Sequence, residues 1–322
     1  MILILSDPND AHIPFVTKHL KHTFTTIDAG SLLDGKGLSY AINHGDPVID
    51  YDGIDLSTIK SVWYRKPRNL RRDLTLPVEE HYQEYSRSAL RAHLEQLCSL
   101  LDHAFWLSDY YALLRANNKM LQLKMAKMHG FTVPQTLLTS SAARAKKFVD
   151  EMGVAVTKGI SGQWPQRTTE NTQEIFFTRL IKSAPISNYE GLHLAPALFQ
   201  QAITPAFDVR VTVVGRRVFA TRINLTKTCH PEVLDWRIGH MQGMGDLQFQ
   251  PYELSYELEN QCIGLVKGLG LAFGALDFVC DKKGKLWFLE INPNGQWAFI
   301  EEKTRQPIGK EIARLLDRGR LV

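Results

Sequence analysis

Cysteine is scarce in this chain. Four occur among 322 residues, Cys98, Cys229, Cys262 and Cys280. No two form a CxxC pair and no histidine cluster accompanies them, so they read as buried free thiols in a reducing cytoplasm. His93, Cys98 and His103 lie on one predicted helix, but their spacing does not share a face. Long apolar runs are missing too. Nothing approaches the length of a membrane span, and "MILIL" before Ser6 and Asp7 reads as a first strand rather than a secretory signal. Repeats and low-complexity tracts are absent, which argues against disorder. The net charge of +4 is too small to argue for duplex nucleic acid, though it suits an anionic ligand. No GxxxxGK[ST] occurs, and no GxGxxG follows a strand. No GxSxG elbow or HExxH helix is found either. P-loop, dinucleotide, serine-hydrolase and zinc-protease chemistries are therefore disfavoured.

What is present is enough apolar residue, 44% of the chain, to bury substantial cores; the length suggests two or three compact units. The first hundred residues alternate strand and helix signals. "MILIL", "FTTID" and "IKSVWYRKP" read as strands, with helices over "DAHIPFVTKHL" and "EEHYQEYSRSALRAHLEQLCSLL". This alternation predicts a small parallel α/β domain. An amphipathic helix "ANNKMLQLKMAKMHG" stops at Gly130. The strand "VPQTLLTS", the helix "SAARAKKFVDEMG", the strand "VAVTK" and the strand "EIFFTRLI" predict a small α+β lid. "APALFQQAI", "FDVRVTVVG" and "RRVFATRINL" read as strands, the last two joined at Gly215. A helix "SYELENQCIGLVKGLG", a hairpin and a final helix "QPIGKEIARLLDRG" complete the chain. Three units follow: residues 1–110, 111–195 and 196–322.

The hairpin "FGALDFVCDKKGKLWFLEINPNGQW" places acids in apolar strands. A two-residue turn with Asp281 opposite Gly284 puts Asp277 opposite Phe288 and Ala275 opposite Glu290. Side chains alternate, so Asp277, Glu290 and Asn292 share one face. Asp277 and Glu290 are then diagonal neighbours, about 7–8 Å apart. Three oxygen donors at that spacing suit a hard ion such as Mg²⁺, which takes phosphate oxygens as further ligands. The plain alternative is a solvated sheet face. The apolar set Leu276, Phe278, Leu289 and Ile291 on the other face allows it.

Cations for a phosphate are available. Lys158 ends the strand "VAVTK", and Gly159 and Gly162 beyond it let backbone N–H groups approach an anion. Lys119 begins a helix, where it could reach a nucleotide or simply be solvated. Arg210 and Arg222 lie in adjacent strands and could stabilise a transferring phosphoryl group. Pairing with Asp208 or other acids across the sheet accounts for them equally.

These stretches, in this order, resemble the ATP-grasp ligases from about residue 111 to the C-terminus. The Asp277…Glu290-x-Asn292 arrangement is the strongest element. "SVWYRKP", "VLDWRIG" and "NPNGQWAFIE" are similar to the microviridin-type, graspetide-forming branch. The resemblance implies an ATP-grasp fold, α/β and α+β, preceded by a parallel α/β domain. It implies that Lys119 and Lys158 contact ATP phosphates. Gln200, Gln201 and Ile203 would form the adenine hinge, and Asp208 a ribose-side contact. Asp277, Glu290 and Asn292 would hold two Mg²⁺ ions. Arg210 and Arg222 would steady the transferred phosphate and the acyl-phosphate. Apart from the resemblance, a metal-bound environment or a polar residue near "DWR", Asp235 or Arg237, could serve as general base. The loop after Lys158, "GISGQW", is shorter than the glycine-rich flap of many such enzymes. The partner implied is a ribosomally made precursor peptide with a leader segment, and "SAPISNYEGLHLAP" is a candidate docking surface for that leader. No nucleic acid or membrane partner is expected. A homodimer in the cytoplasm is compatible with the resemblance. The competing expectations are a ligase for free amino acids or small peptides, and a nucleotide sensor without catalysis.

Overall fold

The computed structural model describes residues 1–42, 44–45, 47–66, 76–160, 179–225 and 246–321. The chain begins as the alternation predicts. Strands β1 (Ile2–Ser6), β2 (Phe24–Ile27), β6 (Ser61–Lys66) and β7 (Phe105–Trp106) form a parallel sheet in the order β2-β1-β6-β7. β1 is buried along its whole length, which is why it reads as a continuous apolar run. Helix α1 (Ile13–Thr17) is shorter than the predicted one; α2 (Ala29–Leu33) follows β2, and α3 (Gln83–Leu100) is the long helix expected. A small antiparallel sheet, β3 (Leu38–Ala41), β4 (Val48–Tyr51) and β5 (Ile54–Asp55), was not foreseen.

Helices α4 (Tyr110–Ala116) and α5 (Lys119–Met128) lead onward. The Asn118 side chain caps α5 by accepting from the Leu121 N–H, which fixes Lys119 as its first residue. A second sheet, order β10-β9-β11-β8, combines β8 (Thr136–Thr139), β9 (Val154–Lys158), β10 (Arg179–Lys182) and β11 (Ala197–Gln201). Helix α6 (Ala142–Met152) packs on it, with Ala145 and Val149 buried against Phe199.

The third sheet is antiparallel, in the order β14-β13-β12-β15-β16. Its strands are β12 (Pro205–Val214), β13 (Arg217–Leu225), β14 (Leu247–Pro251), β15 (Phe273–Asp281) and β16 (Leu286–Asn292). One face, carrying Val209, Val211, Leu276, Phe278 and Phe288, buries against α5 and α7 (Tyr256–Gly268). The opposite face divides. At one end Val214, Phe219 and Phe273 join a core with α8 (Ala298–Thr304), α9 (Ile308–Arg318) and the N-terminal residues Ile2, Ile4 and Trp63. The other end carries the polar residues described next. One apolar cluster thus spans the first and last parts of the chain, and it sets where the hairpin of β15 and β16 stands relative to β6.

The β15–β16 hairpin differs from the two-residue turn expected. Its loop holds Lys282, Lys283 and Gly284, closed by the Asp281 N–H donating to the Lys285 carbonyl at 2.9 Å. Gly284 has φ +81°, the left-handed conformation that ends such three-residue loops. Beyond it Phe278 pairs with Phe288, but Asp277 pairs with Glu290, so Leu289 is an extra residue in β16. The correct partner of Asp277 is Glu290, not Phe288, and that of Ala275 is Asn292. Two one-residue shifts add to an even number. The predicted shared face of Asp277, Glu290 and Asn292 therefore survives although the predicted pairs do not, while Phe288, expected opposite Asp277, joins the apolar face.

Candidate active site

Strand alternation places Asp208 and Arg210 of β12, Asp277 of β15, and Glu290 and Asn292 of β16 on one face. Arg210 pairs in register with Asp277, and one of its nitrogens donates to both carboxylate oxygens at 2.6 Å. Its other terminal nitrogen donates to the Gln296 carbonyl at 3.1 Å. The Asn292 amide donates to Asp277 Oδ2 at 3.1 Å. Lys119, reaching over from α5, donates to Glu290 Oε2 at 2.6 Å. Two acids and two cations are thus closed on one another, at 18–27% side-chain exposure for the lysine pair and 9–21% for the arginine pair.

Helix α5 is held against the edge strand by Gln122, which is 2% exposed. Its amide nitrogen donates to the carbonyls of Ala116 and Ile291, at 2.7 and 2.9 Å, and its oxygen accepts from the Ile291 N–H at 3.2 Å. The side chain satisfies the open edge of β16 between Glu290 and Asn292. It also fixes the helix that carries Lys119. Sequence reasoning missed Gln122; its place on the buried face of an amphipathic helix was the available signal.

Gly295 follows in the turn after β16. A Cβ there would lie 2.6 Å from Ala275 Cβ, 2.9 Å from an Arg210 terminal nitrogen and 3.1 Å from Asn292 Cβ. Only glycine lets this turn approach so closely.

The second sheet holds the remaining candidates. Lys158 donates to Gln200 Oε1 at 3.2 Å, and the buried Gln200 amide donates to Thr136 Oγ1 at 3.0 Å. The Gln201 N–H bonds the Gln135 carbonyl at 2.8 Å. Ile203 is half-buried in the connection from β11 to β12, and Asp208 is half-buried in β12.

Arg222 is not brought to the cluster. It pairs with Val209, and Arg210 pairs with Thr221, so the two arginines project from opposite faces of the sheet. The Arg222 guanidinium lies over the Phe207 ring at 3.9 Å, and its Nε donates to Asn224 Oδ1 at 3.0 Å. The expected facing arginine pair is therefore not formed. Asp235, Arg237 and Gly162 lie outside the described residues.

The donor set fits a hard divalent cation: two carboxylates and an amide oxygen on rigid strands, with no sulfur or imidazole. It also fits an anionic nucleotide. Phosphates would take Lys119 and Arg210 as partners and release the carboxylates to metal.

No protein-family model and no curated protein sequence matches the chain. Solved structures do. The macrocyclase MdnC bound with precursor peptide MdnA from Microcystis aeruginosa MRC superposes with a TM-score of 0.85 at 27% identity, over 99% of each chain. The macrocyclase MdnB from the same organism gives 0.77 at 25% identity, over 98% of each. A Chryseobacterium gregarium RiPP-associated ATP-grasp ligase, in complex with ADP and a leader and core peptide, gives 0.88 at 24% identity, over 100% of this chain and 99% of that one. The parallel first sheet and the two antiparallel sheets beyond it agree with that likeness. Over nearly its whole length the chain is thus similar to ATP-grasp ligases that act as peptide macrocyclases, and it shares their fold.

Proposed function

We propose that this ligase activates Asp or Glu side chains of a ribosomally made precursor peptide and joins them to Ser or Thr hydroxyls, or Lys amines, of the same peptide. The observation that carries the reading is the single sheet face bearing Asp277, Glu290 and Asn292 with Lys119 and Arg210 already in contact with it. The likeness to MdnC, itself bound with a precursor peptide, supports the choice of substrate.

A carboxylate is a poor electrophile. Its oxygen attacks the γ-phosphorus of ATP, ADP leaves, and an acyl-phosphate results. The hydroxyl or amine then attacks that carbonyl and expels phosphate, losing its proton in the same step. In this reading Asp277, Glu290 and Asn292 hold two Mg²⁺ ions, which neutralise charge on the phosphates when bound. Lys119 and Lys158 bind the phosphates. Arg210 steadies the group in transfer. Gln200, Gln201 and Ile203 border the base and Asp208 the ribose. A peptide carrying both reacting groups makes closure effectively intramolecular.

The division at residues 110 and 195 and a cytoplasmic location belong to the same reading, as does a homodimer. Cys98, Cys262 and Cys280 are free and buried, which fits a reducing compartment. Among the described residues no helix is long and apolar enough to cross a membrane. The segment over Ile186–His193, a 3₁₀ helix packed on α6 through Tyr189 and Leu192, is a candidate leader contact.

The test is mass spectrometry of a precursor peptide encoded beside this gene, incubated with the protein and Mg·ATP. Each link removes the elements of water, so the peptide mass falls by about 18 Da per ring. ADP formation with no mass change would overturn the reading.

A further inference from the structure

Arg65 is the most buried charged side chain among the described residues, at 1% exposure. It is the penultimate residue of β6, in "SVWYRKP", a stretch outside both the nucleotide and the metal candidates. One terminal nitrogen donates to the Asn294 carbonyl at 2.6 Å and to Asn294 Oδ1 at 3.2 Å, with the Gly295 carbonyl at 3.4 Å. Its Nε lies 3.4 Å from Asp10 Oδ2. The Asn294 amide donates back to the carbonyls of Tyr64 and Arg65. His12 closes the arrangement. Its Nε2 accepts from the Trp297 N–H at 3.0 Å, so its proton sits on Nδ1, which donates to Asp10 Oδ1 at 2.6 Å. The His12 and Trp297 rings also meet edge to face, with centroids 5.0 Å apart.

The turn gripped in this way runs from Asn294 to Trp297, immediately after Asn292. Its far side touches the metal candidates. Gln296 accepts from Arg210, Gly295 packs on Ala275 and Asn292, and the Gly295 N–H donates to the Asn292 carbonyl at 3.1 Å. Direct contacts therefore run from Arg65 through one short turn to Arg210, and from Arg210 to Asp277.

We propose that Arg65 is a positioning residue. From the N-terminal sheet it sets the turn that orients Arg210 and Asn292, and through them the geometry in which Asp277 meets the metal. This rests on the reading of Asp277, Glu290 and Asn292 as metal ligands. A planar guanidinium suits the task because it reaches two carbonyls and a carboxylate at fixed angles, which an ammonium does not. Stability alone does not call for it, since a buried ion pair is often replaced by apolar residues without loss.

The experiment compares ADP affinity with and without Mg²⁺ by calorimetry. The variants are Arg65→Lys, Asn294→Ala and the charge-neutral double variant Asp10→Asn/Arg65→Met. Each should bind metal-free ADP within about twofold of wild type, because Lys119 and Lys158 are untouched. Each should lose tenfold or more of the affinity that Mg²⁺ adds. A general loss of structure would weaken both affinities together. Should the double variant fail to fold, the half-buried Asn294→Ala decides. An Mg²⁺ enhancement equal to wild type in the folded variants would overturn the inference. Glu290→Gln in the same titration separates the two claims. If it loses the enhancement while the Arg65 variants keep it, only the positioning role falls. If it keeps it as well, the metal site itself is wrong.

Discussion

Arg210 and Asp277 stand directly opposite one another on β12 and β15, and one guanidinium nitrogen meets both carboxylate oxygens at 2.6 Å. Lys119 does the same for one oxygen of Glu290. The groups proposed to bind phosphate thus neutralise the groups proposed to bind metal. Each ligand alone must break these pairs and leave a charge unpartnered. Together the two ligands exchange one set of pairs for another. Mg²⁺ and ADP should therefore bind with positive coupling, each raising the affinity of the other by about tenfold or more, the scale of ~1.4 kcal/mol. Calorimetric titration of each ligand in the absence and presence of the other measures it. Independent affinities would contradict this electrostatic account.

Gly295→Ala should damage both fold and site. The added methyl would meet Ala275 Cβ at 2.6 Å and Arg210 at 2.9 Å. A loss of about 1–3 kcal/mol is expected from such overpacking, together with weaker Mg·ADP binding. Gly191→Ala is the matched control, since nothing lies within 4 Å of the added atom. Urea unfolding of the two variants makes the comparison, and equal stabilities would refute the packing argument.

Gln122→Leu keeps the volume but removes the bonds to Ile291 and Ala116. The buried Ile291 N–H and C=O then lose their side-chain partner. A cost of roughly 2–4 kcal/mol follows from leaving such groups unsatisfied. Thermal melting should register it, and hydrogen exchange at Ile291 should quicken. Protection unchanged at that amide would show that Gln122 does not seal the edge.

Asp10 supplies a pH test. Burial pushes its pKa up, but the hydrogen bond from His12 and the charge of Arg65 outweigh that and bring it to about 2. The folded value lies below the ordinary carboxylate range, so the stabilisation is complete above about pH 5 and fades as pH falls through about 4 towards 2. Its size is on the order of 2 kcal/mol. The stability gap between wild type and Asp10→Asn, followed by urea unfolding, should shrink over that window. A gap that stays constant with pH would show that the carboxylate is not held ionised.

Much of this was legible in the sequence, for identifiable reasons. β1 announces itself as an apolar run because a central parallel strand is buried on both faces. The shared face of Asp277, Glu290 and Asn292 follows from alternation alone. It tolerated an extra loop residue and the Leu289 bulge because their shifts sum to an even number. Other features were hidden. Sheet β3-β4-β5 has strands of four, four and two residues, too short for a periodic signal. The contact between Lys119 and Glu290 spans 171 positions and depends on how α5 lies along the sheet edge. The separation of Arg210 from Arg222 was readable in principle. The tight turn at Gly215 and Arg216 pairs Val214 with Arg217, and counting back places Thr221, not Arg222, opposite Arg210. The grip of Arg65 on the turn after Asn292 joins residues 229 positions apart, and only the folded chain brings them together.

The central claim is that a carboxylate on β16 holds the metal that makes ATP chemistry available to a peptide. The direct measurement follows ADP release and peptide mass together, for wild type and Glu290→Gln, with the neighbouring precursor peptide and Mg·ATP. Wild type should release ADP as the peptide loses water, and Glu290→Gln should do neither, with turnover down by about a hundredfold or more. Undiminished condensation by Glu290→Gln would contradict the account.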